Sequence, residues 1–285
     1  MIGEDVSRET SQTLGTGGLN GNYSRKWLKD SGIMQRNFMQ GRTIYKTGIS
    51  MRKDGMAAEK GEFAERLRRA AERAAAKAGI EASEDNLTKM TVYVEELRKW
   101  NNAYNLVGRK VGEEGLESLL RDALSPLIIK GLFAEGKEVL DIGSGAGMPG
   151  IPLYLVAGPF PLTLVESQRK RITFLKHICR KLELEEARVY GGRLEEMART
   201  EDHLNAYEVG MARAVMDPMR LVRLARPLLC EKGRLVLFLG KKDAENIRKA
   251  ALGLAEKGFE LEVLRSTQRI AGKENYLAVL RKAGR

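Results

Sequence analysis

The chain has 285 residues, of which 43% are apolar and 31% are charged. A chain of this length and composition buries a substantial core and forms one domain with appendages or two small domains. Two cysteines exclude a disulfide framework, and the two cysteines and two histidines lack the paired ligand spacing of a structural zinc site. No apolar run reaches the ~20 residues of a membrane span, and the N-terminus lacks the apolar core of a signal peptide, so we expect a cytoplasmic protein. The formal net charge of +11 fits either a well-solvated surface or an anionic partner, nucleic acid first.

Three regions follow one another along the chain. Residues 1–56 include the segment TLGTGGLNGNYS and show no apolar period, which predicts a disordered basic extension. Residues 57–133 place apolar residues at helical spacing, with Ser83 as an N-cap and a break near Pro126, which predicts a helical N-terminal cap. Residues 134–285 change to an alternation of strand and helix patterns, which predicts a separate α/β domain.

The third region predicts a sheet. Strand patterns cover residues 138–143, 162–166, 187–192, 207–215 and 233–240, and helix patterns separate most of them. Such alternation predicts a doubly wound parallel sheet with helices on both faces. Two closing patterns, ELEVLRSTQRI and NYLAVLRK, predict an antiparallel pair that adds a reversed strand at the edge of the sheet.

The segment VLDIGSGAGMPGIP, residues 139–152, places four glycines directly after the first predicted strand. Ligands of doubly wound sheets bind at the carboxyl ends of the strands, where a helix N-terminus favours an anion or a polar group. The spacing Gly145-x-Gly147-x-x-Gly150 matches the dinucleotide fingerprint, with Glu166 as the ribose ligand. Pro149, however, stands where the helix of that fingerprint should begin.

A second interpretation accounts for the acids as well as the glycines. Asp141 precedes Gly143, Gly145 and Gly147, and a second acid, Glu166, ends the next predicted strand. S-adenosylmethionine carries an ammonium that the first acid can hold, directly or through water, and ribose hydroxyls that the second acid can accept. We therefore favour S-adenosylmethionine as the cofactor, with a dinucleotide and a purely structural glycine turn as the alternatives.

Motifs that the sequence lacks exclude some classes of methyl acceptor. The turn after the fourth strand reads ARAVMDP, without the Asn/Asp-Pro-Pro-aromatic turn of exocyclic-amine methyltransferases. Methylation at a pyrimidine C5 needs a cysteine nucleophile, whereas Cys179 and Cys230 lie in patterns typical of small buried hydrophobic residues. The N7 atom of guanine already carries a nucleophilic lone pair, so positioning without a general base suffices there. The sequence is compatible with that chemistry.

Five motifs fall in the order and spacing of one protein family. They are WNNAYNLV (100–107), LDIGSGAGMPGIPL (140–153), VESQRKRITFLK (165–176), GGRLEEM (191–197) and ARAV (212–215). Over about residues 60–282 the chain resembles the bacterial 16S ribosomal RNA guanine-N7 methyltransferases, the glucose-inhibited division protein B family. The resemblance implies a class I S-adenosylmethionine-dependent methyltransferase domain at 134–285. It also implies methylation of guanine 527 in the 530 loop of 16S RNA, with the small ribosomal subunit or its assembly intermediate as partner.

The resemblance also implies roles for individual residues. Beside the glycines of the loop, the implied cofactor contacts are Met148, Leu194, Glu195 and Arg213. Arg213 is in addition the expected catalytic residue, since it ends the fourth strand. No metal is implied at this site.

The expected RNA-facing residues are Arg121, Lys241 and Lys242, and the two lysines are expected there because they lie beside a strand end. Arg121 keeps its family identity, and the two lysines follow the family's lysine position by one and two residues. The chain departs from the family pattern at Asp122, Ser125, Leu239, Asn275 and Tyr276. These departures keep open a different RNA or protein acceptor, or a cofactor-binding, RNA-associated protein with little catalysis.

Overall fold

The computed structural model describes residues 50–134, 136–271 and 274–284, and for residues 50–60, 251, 269 and 270 it describes the backbone only. The chain divides into two units, Met1–Arg52 and Lys53–Arg285. Apart from the first residues of helix α1, all the elements named below belong to the second unit. Residues 1–49 of the extension predicted for residues 1–56 lie outside the described residues. Residues 50–56 are helical and belong to helix α1.

Within residues 50–134 three helices precede the sheet, as the sequence predicts for residues 57–133. They are α1 (Ser50–Ala78), α2 (Glu84–Tyr104) and α3 (Glu113–Ala123), and a 3-10 turn at Ser125–Ile128 follows them. The predicted cap is present, because the Oγ atom of Ser83 accepts a hydrogen bond from the Asn86 amide at 3.2 Å. The predicted break coincides with the 3-10 turn, in which Pro126 removes a backbone donor.

The sheet has seven strands. They are β1 (Val139–Ile142), β2 (Leu162–Glu166), β3 (Ala187–Gly191), β4 (Tyr207–Arg213), β5 (Leu229–Leu239), β6 (Phe259–Ser266) and β7 (Tyr276–Lys282). Their spatial order is β3-β2-β1-β4-β5-β7-β6, and only the pairings that involve β7 are antiparallel. The prediction of a closing antiparallel pair with a reversed strand is confirmed, but its placement of the reversed strand at the edge is wrong. The reversed strand β7 inserts between β5 and β6, so β6 is the outermost strand.

Helices cover both faces of the sheet. They are α4 (Gly150–Ala157), α5 (Arg169–Lys181), α6 (Leu194–Met197), α7 (Pro218–Ala225), α8 (Lys241–Lys249), α9 (Ala251–Glu256) and α10 (Gln268–Ala271), with a 3-10 turn at Glu201–His203 between α6 and β4. The single helix pattern after β5 becomes two helices, α8 and α9, which meet at Ala250. Among the described helices, none is long and apolar enough to cross a bilayer.

Alternate residues of the central strands enter two different cores. Val139 belongs to the core shared with helices α1, α2 and α3, whereas Leu140 and Ile142 belong to the core on the opposite face. Strand β1 is buried along its whole length, as expected for a central strand of a parallel sheet. This alternation also fixes the face of Asp141, which shares a strand face with Val139.

Helix α2 packs the N-terminal helices onto the α/β domain. The Trp100 ring lies 5.5 Å from the Phe174 ring and 5.2 Å from the His177 ring, both on α5. These contacts place Trp100 in the interface between α2 and α5, as aromatic side chains with large apolar surfaces favour.

A buried acid lies beside the same interface. Glu96 of α2 is 6% exposed, and its carboxylate contacts Lys99 at 2.8 Å, His177 at 3.0 Å and Lys181 at 3.0 Å. The hydrogen bond from Lys99, supported by those from Lys181 and His177, lowers the pKa of Glu96 to about 2 against the opposing effect of burial. Because two of these partners lie on α5, the carboxylate joins α2 to the α/β domain.

Candidate active site

A cavity of about 520 Å³ opens at the carboxyl ends of the parallel strands. Its walls come from the glycine loop after β1, the turn after β2, the start of α6 and the segment after β4. A further wall comes from the N-terminal helical region, through Leu106, Val107 and Leu119. The cavity therefore lies where the sequence predicts a ligand, and the helical region completes it.

The glycine loop packs too closely for side chains at two of its positions. Gly143 has φ +66°, and a Cβ atom there would lie 2.8 Å from Cγ2 of Val215. Gly147 has φ +88°, and a Cβ atom there would lie 2.4 Å from Cδ1 of Ile151. Both glycines adopt backbone conformations that residues with side chains rarely adopt. Glycine therefore lets the loop pack against the segment after β4 and against helix α4.

Glu166 lies in the cavity wall and at the same time anchors the glycine loop. Its Oε2 atom accepts a hydrogen bond from the Gly145 amide at 3.0 Å. Its Oε1 atom accepts bonds from the Ser167 and Gln168 amides at 2.8 and 2.9 Å. An Arg171 guanidinium nitrogen lies 3.6 Å from Oε2. The carboxylate is thus held rigidly in the cavity wall, where the sequence predicts a ribose ligand.

Asp141 lies beneath the loop, and the cavity lining formed by the described residues does not include it. The side chain is 1% exposed, and its Oδ2 atom accepts a hydrogen bond from the Gly150 amide at 3.0 Å. Its Oδ1 atom is buried and has no hydrogen-bond partner among the described residues. Burial raises the pKa of Asp141 to about 7, although the Gly150 amide and the Arg213 charge oppose that shift. The first predicted acid thus caps helix α4 at its N-terminus, and a direct hold on a cofactor ammonium stays a prediction.

The other residues predicted to contact the cofactor either line the cavity or lie behind its wall. Gly143, Gly145, Met148, Leu194 and Glu195 line the cavity, whereas Gly147 does not. Leu194 and Glu195 form the first turn of α6, directly after β3. Because both side chains arise at a strand-to-helix turn at the carboxyl edge, the parallel sheet brings them to the same cavity as the glycine loop.

Arg213, the predicted catalytic residue, also lines the cavity. It ends strand β4, and its side chain is 21% exposed. One of its guanidinium nitrogens, Nη1, lies 3.6 Å from Oδ2 of Asp122 on helix α3. The structure therefore brings the strand-four arginine to the cavity wall and gives it an acidic neighbour from the helical region.

The three residues predicted to face RNA lie outside the cavity. Arg121 lies 3.5 Å from Glu117 through Nη1, and its buried Nε atom has no partner among the described residues. Lys241 begins helix α8 and lies 3.6 Å from Glu274, and its neighbour Lys242 is exposed. Since α8 directly follows β5, both lysines lie at the carboxyl edge of the sheet.

Sequence reasoning did not single out several residues that line the cavity. They are Leu106, Val107, Leu119, Gln168, Arg171, Arg193, Met216 and Arg220. Leu106 and Val107 stand inside the quoted motif WNNAYNLV, so the family resemblance already marked this segment as one that could contribute to the site. Tyr93 is a second omission, because its hydroxyl donates to the Ala146 carbonyl of the glycine loop at 2.8 Å and is buried.

Comparison with known proteins identifies the family. A family model described as rRNA small subunit methyltransferase G matches residues 86–271. The chain belongs to this family. Proteins named ribosomal RNA small subunit methyltransferase G from Syntrophotalea carbinolica and Thermotoga neapolitana are 31% and 32% identical to it. Each alignment covers 73% of this chain, and they cover 94% and 87% of the respective relatives. The resemblance found in the five motifs is thereby confirmed.

Family membership and the seven-stranded sheet confirm the predicted class I S-adenosylmethionine-dependent methyltransferase fold. Among solved structures, fibrillarin from Aeropyrum pernix with natively bound S-adenosyl-L-methionine is 15% identical, with a TM-score of 0.47. That alignment covers 57% of this chain and 76% of the other. A fibrillarin from Methanococcus jannaschii is 14% identical, with a TM-score of 0.48 over 57% of this chain and 74% of the other.

Proposed function

We propose that the protein is an S-adenosylmethionine-dependent methyltransferase that modifies N7 of a guanine in 16S ribosomal RNA, namely guanine 527 of the 530 loop. One observation carries the proposal. The residues that line the cavity run from Leu106 to Arg220, and the family match covers residues 86–271. The cavity is thus built wholly from the part of the chain that the family shares. The family's substrate makes the cytoplasm the proposed place of action.

The cavity suits S-adenosylmethionine in its chemistry. Glu166 offers carboxylate oxygens to ribose hydroxyls, and the loop at Gly145 leaves open space, since a Cβ atom there would meet nothing nearer than 3.9 Å. Leu194 and Met148 offer apolar surface beside these polar groups, as an adenine requires. We assign Gly143, Gly145, Met148, Glu166, Leu194 and Glu195 as the residues that hold the cofactor, with Asp141 and Gly147 as their support.

The cofactor supplies an electrophilic methyl group on a sulfonium. The protein's own residues then have to orient the guanine and exclude water, because N7 attacks through a lone pair without losing a proton. Arg213 presents a permanently charged donor at the cavity wall, which can bind guanine O6 or a phosphate oxygen. The apolar side chains Leu106, Val107 and Leu119 form a wall that can exclude water from the base.

Cysteine chemistry is a poor alternative here. Burial raises the pKa of Cys179 to about 11 and also raises that of Cys230. Neither thiol lines the cavity that the described residues form. A nucleophile for pyrimidine C5 methylation is therefore not offered by these two residues.

The test is methylation of two substrates, deproteinised 16S RNA and intact small subunits, with isotopically labelled S-adenosylmethionine. Nucleoside mass spectrometry then identifies the product. We expect 7-methylguanosine at a single position. Another modified base, or labelled protein, would show that the methyl acceptor differs from the one proposed. Cofactor binding without turnover on either substrate would instead indicate an RNA-associated protein with little catalysis.

A further inference from the structure

Three segments that are far apart in the chain meet beside the cavity arginine. Asp122 lies near the end of helix α3, Arg213 ends β4, and Asn275 directly precedes β7. The Asp122 side chain is 14% exposed and the Arg213 side chain is 21% exposed, so the pair lies largely out of water. The cavity lining includes Arg213 but neither Asp122 nor Asn275. The acid thus contacts the arginine from behind the cavity wall.

Each oxygen of the Asp122 carboxylate has its own partner. Oδ1 accepts a hydrogen bond from the Asn275 amide nitrogen, Nδ2, at 3.2 Å. Oδ2 lies 3.6 Å from Nη1 of Arg213, within the range of an ion pair. The main chain of Asp122 is fixed as well, because Ser125 Oγ donates to the Asp122 carbonyl at 2.7 Å. The carboxylate therefore has little freedom to turn away from the arginine.

A fixed carboxylate restricts a long cationic side chain. An arginine side chain loses much of its rotamer freedom when it is ordered. If the side chain is already ordered before the substrate binds, this entropy loss does not add to the activation barrier of the reaction. Removing the acid would leave Arg213 free to adopt other rotamers, and a misplacement of about 1 Å at a reacting centre can lower a rate by about 100-fold.

We infer that Asp122 is a positioning residue that holds the Arg213 guanidinium at the cavity wall, and that Asn275 orients Asp122 for this task. The inference rests on the proposed function, because it assumes that Arg213 acts on the methyl acceptor. It gives a role to two positions at which the chain departs from the family pattern. Here the helical region contributes to catalysis through a charge as well as through the apolar wall.

A purely structural role for Asp122 makes different predictions. If the residue only ties α3 to the sheet, its loss lowers the free energy of unfolding and leaves kcat of the folded protein unchanged. If it positions Arg213, kcat falls while the cofactor dissociation constant and the melting temperature stay close to those of a matched control. Glu262→Gln supplies that control, since Glu262 pairs with Arg234 at 2.8 Å on β5 and β6, away from the cavity lining.

The kinetic test compares Asp122→Asn, Asn275→Ala, Arg213→Ala and the double variant Asp122→Asn with Arg213→Ala. Asp122→Asn should lower kcat for RNA methylation by about 10- to 100-fold, with KM changed less than threefold. Asn275→Ala should show a smaller loss of the same kind. The double variant should be no slower than Arg213→Ala alone, because both changes remove one function. A kcat for Asp122→Asn within twofold of wild type, or losses that multiply, would overturn the inference.

A second readout does not depend on activity. Side-chain NMR of the full chain, with the Arg213 signal assigned through Arg213→Lys, reports rotation of the guanidinium group. We expect restricted rotation in wild type and in Glu262→Gln, and fast rotation in Asp122→Asn. Equal rotation in wild type and Asp122→Asn would overturn the positioning role even if the protein methylates RNA. If wild type methylates no guanine, the proposed function fails, and the NMR comparison still decides whether Asp122 holds Arg213.

Discussion

Replacing two glycines of the same loop by alanine should separate packing from ligand access. Gly147 and Gly145 both have positive φ angles, +88° and +59°. A Cβ atom at Gly147 would lie 2.4 Å from Cδ1 of Ile151 and 3.2 Å from Cδ2 of Leu175, both buried in the core. A Cβ atom at Gly145 would meet nothing nearer than 3.9 Å, and Gly145 lines the cavity. Gly145→Ala is therefore the matched control for Gly147→Ala.

The magnitudes follow from these distances. A left-handed conformation costs an alanine about 1–2 kcal/mol, and the lower entropy of the unfolded alanine chain offsets about 0.4–1 kcal/mol of it. Gly145→Ala should thus lower the free energy of unfolding by about 1 kcal/mol. Gly147→Ala adds overpacking of about 1–3 kcal/mol, because buried side chains must shift to admit the new methyl group. Its total should be roughly 2–4 kcal/mol.

Chemical denaturation gives the free energies of unfolding, and calorimetry gives the S-adenosylmethionine dissociation constants. In thermal melts Gly147→Ala should lose roughly 5–15 °C, and Gly145→Ala should lose only a few degrees. Gly145→Ala should nevertheless bind the cofactor at least tenfold more weakly, because its methyl group faces the cavity. Equal destabilisation of the two variants, or unchanged cofactor affinity in Gly145→Ala, would refute the reasoning from these contacts.

Three further perturbations test the surroundings of the site. Tyr93→Phe leaves the Ala146 carbonyl without its donor, so we expect a loss of about 1 kcal/mol in denaturation and weaker cofactor binding; unchanged values for both would contradict the link between α2 and the loop. The lowered pKa of Glu96 means that its contribution to stability is present above pH 4.5 and is lost as the pH falls towards about 2. Glu96→Gln should therefore lower the free energy of unfolding at pH 7 by roughly 1–3 kcal/mol. Its melting temperature should also fall less steeply between pH 4.5 and pH 2 than that of wild type, and an equal slope in the two proteins would refute this. Replacing Lys241 and Lys242 by alanine should weaken RNA binding and reduce its salt dependence, and an unchanged filter-binding slope would remove them from the interface.

The sequence predicts the fold because its signals are local. The apolar pattern changes from helical spacing to short strand-like runs at the start of the α/β region, and the central strands β1 and β2 are buried along their whole length. Strand β2 occupies residues 162–166 in the structure, as predicted, because a charged residue ends its apolar run. The division of the last long helix pattern into α8 and α9 has no comparably local signal, since the residues on both sides of Ala250 suit a helix.

The site is predictable only where it is local. The glycine loop, Glu166 and the start of α6 follow strand ends directly, so their meeting at one edge follows from a parallel sheet. The contact of Asp122 with Arg213 and Asn275 joins three remote segments, and no spacing in the chain indicates it. The helical region's wall of the cavity is an intermediate case, because Leu106 and Val107 stand in a family motif but no local pattern shows that they reach the edge of the sheet.

Asp141 shows how far a motif determines chemistry. The pattern places an acid near the end of β1. Because side chains alternate between the two faces of a strand, Asp141 lies on the same face as Val139, beneath helix α4. Its pKa of about 7 lies well above the ordinary 3.8. Its contribution to stability is therefore fully present below pH 3.8 and is lost as the pH rises through 7.

An ammonium held near Asp141 would favour the ionised form and lower its pKa, so cofactor binding would release a proton. The affinity for S-adenosylmethionine should then rise with pH up to about 7 and level off above it. In Asp141→Asn the affinity should be independent of pH over the same interval. Calorimetry in buffers of different ionisation enthalpy measures the released protons directly. If wild type releases none, Asp141 serves only to fasten Gly150 and the start of α4, and Glu166 is the acid that faces the ligand.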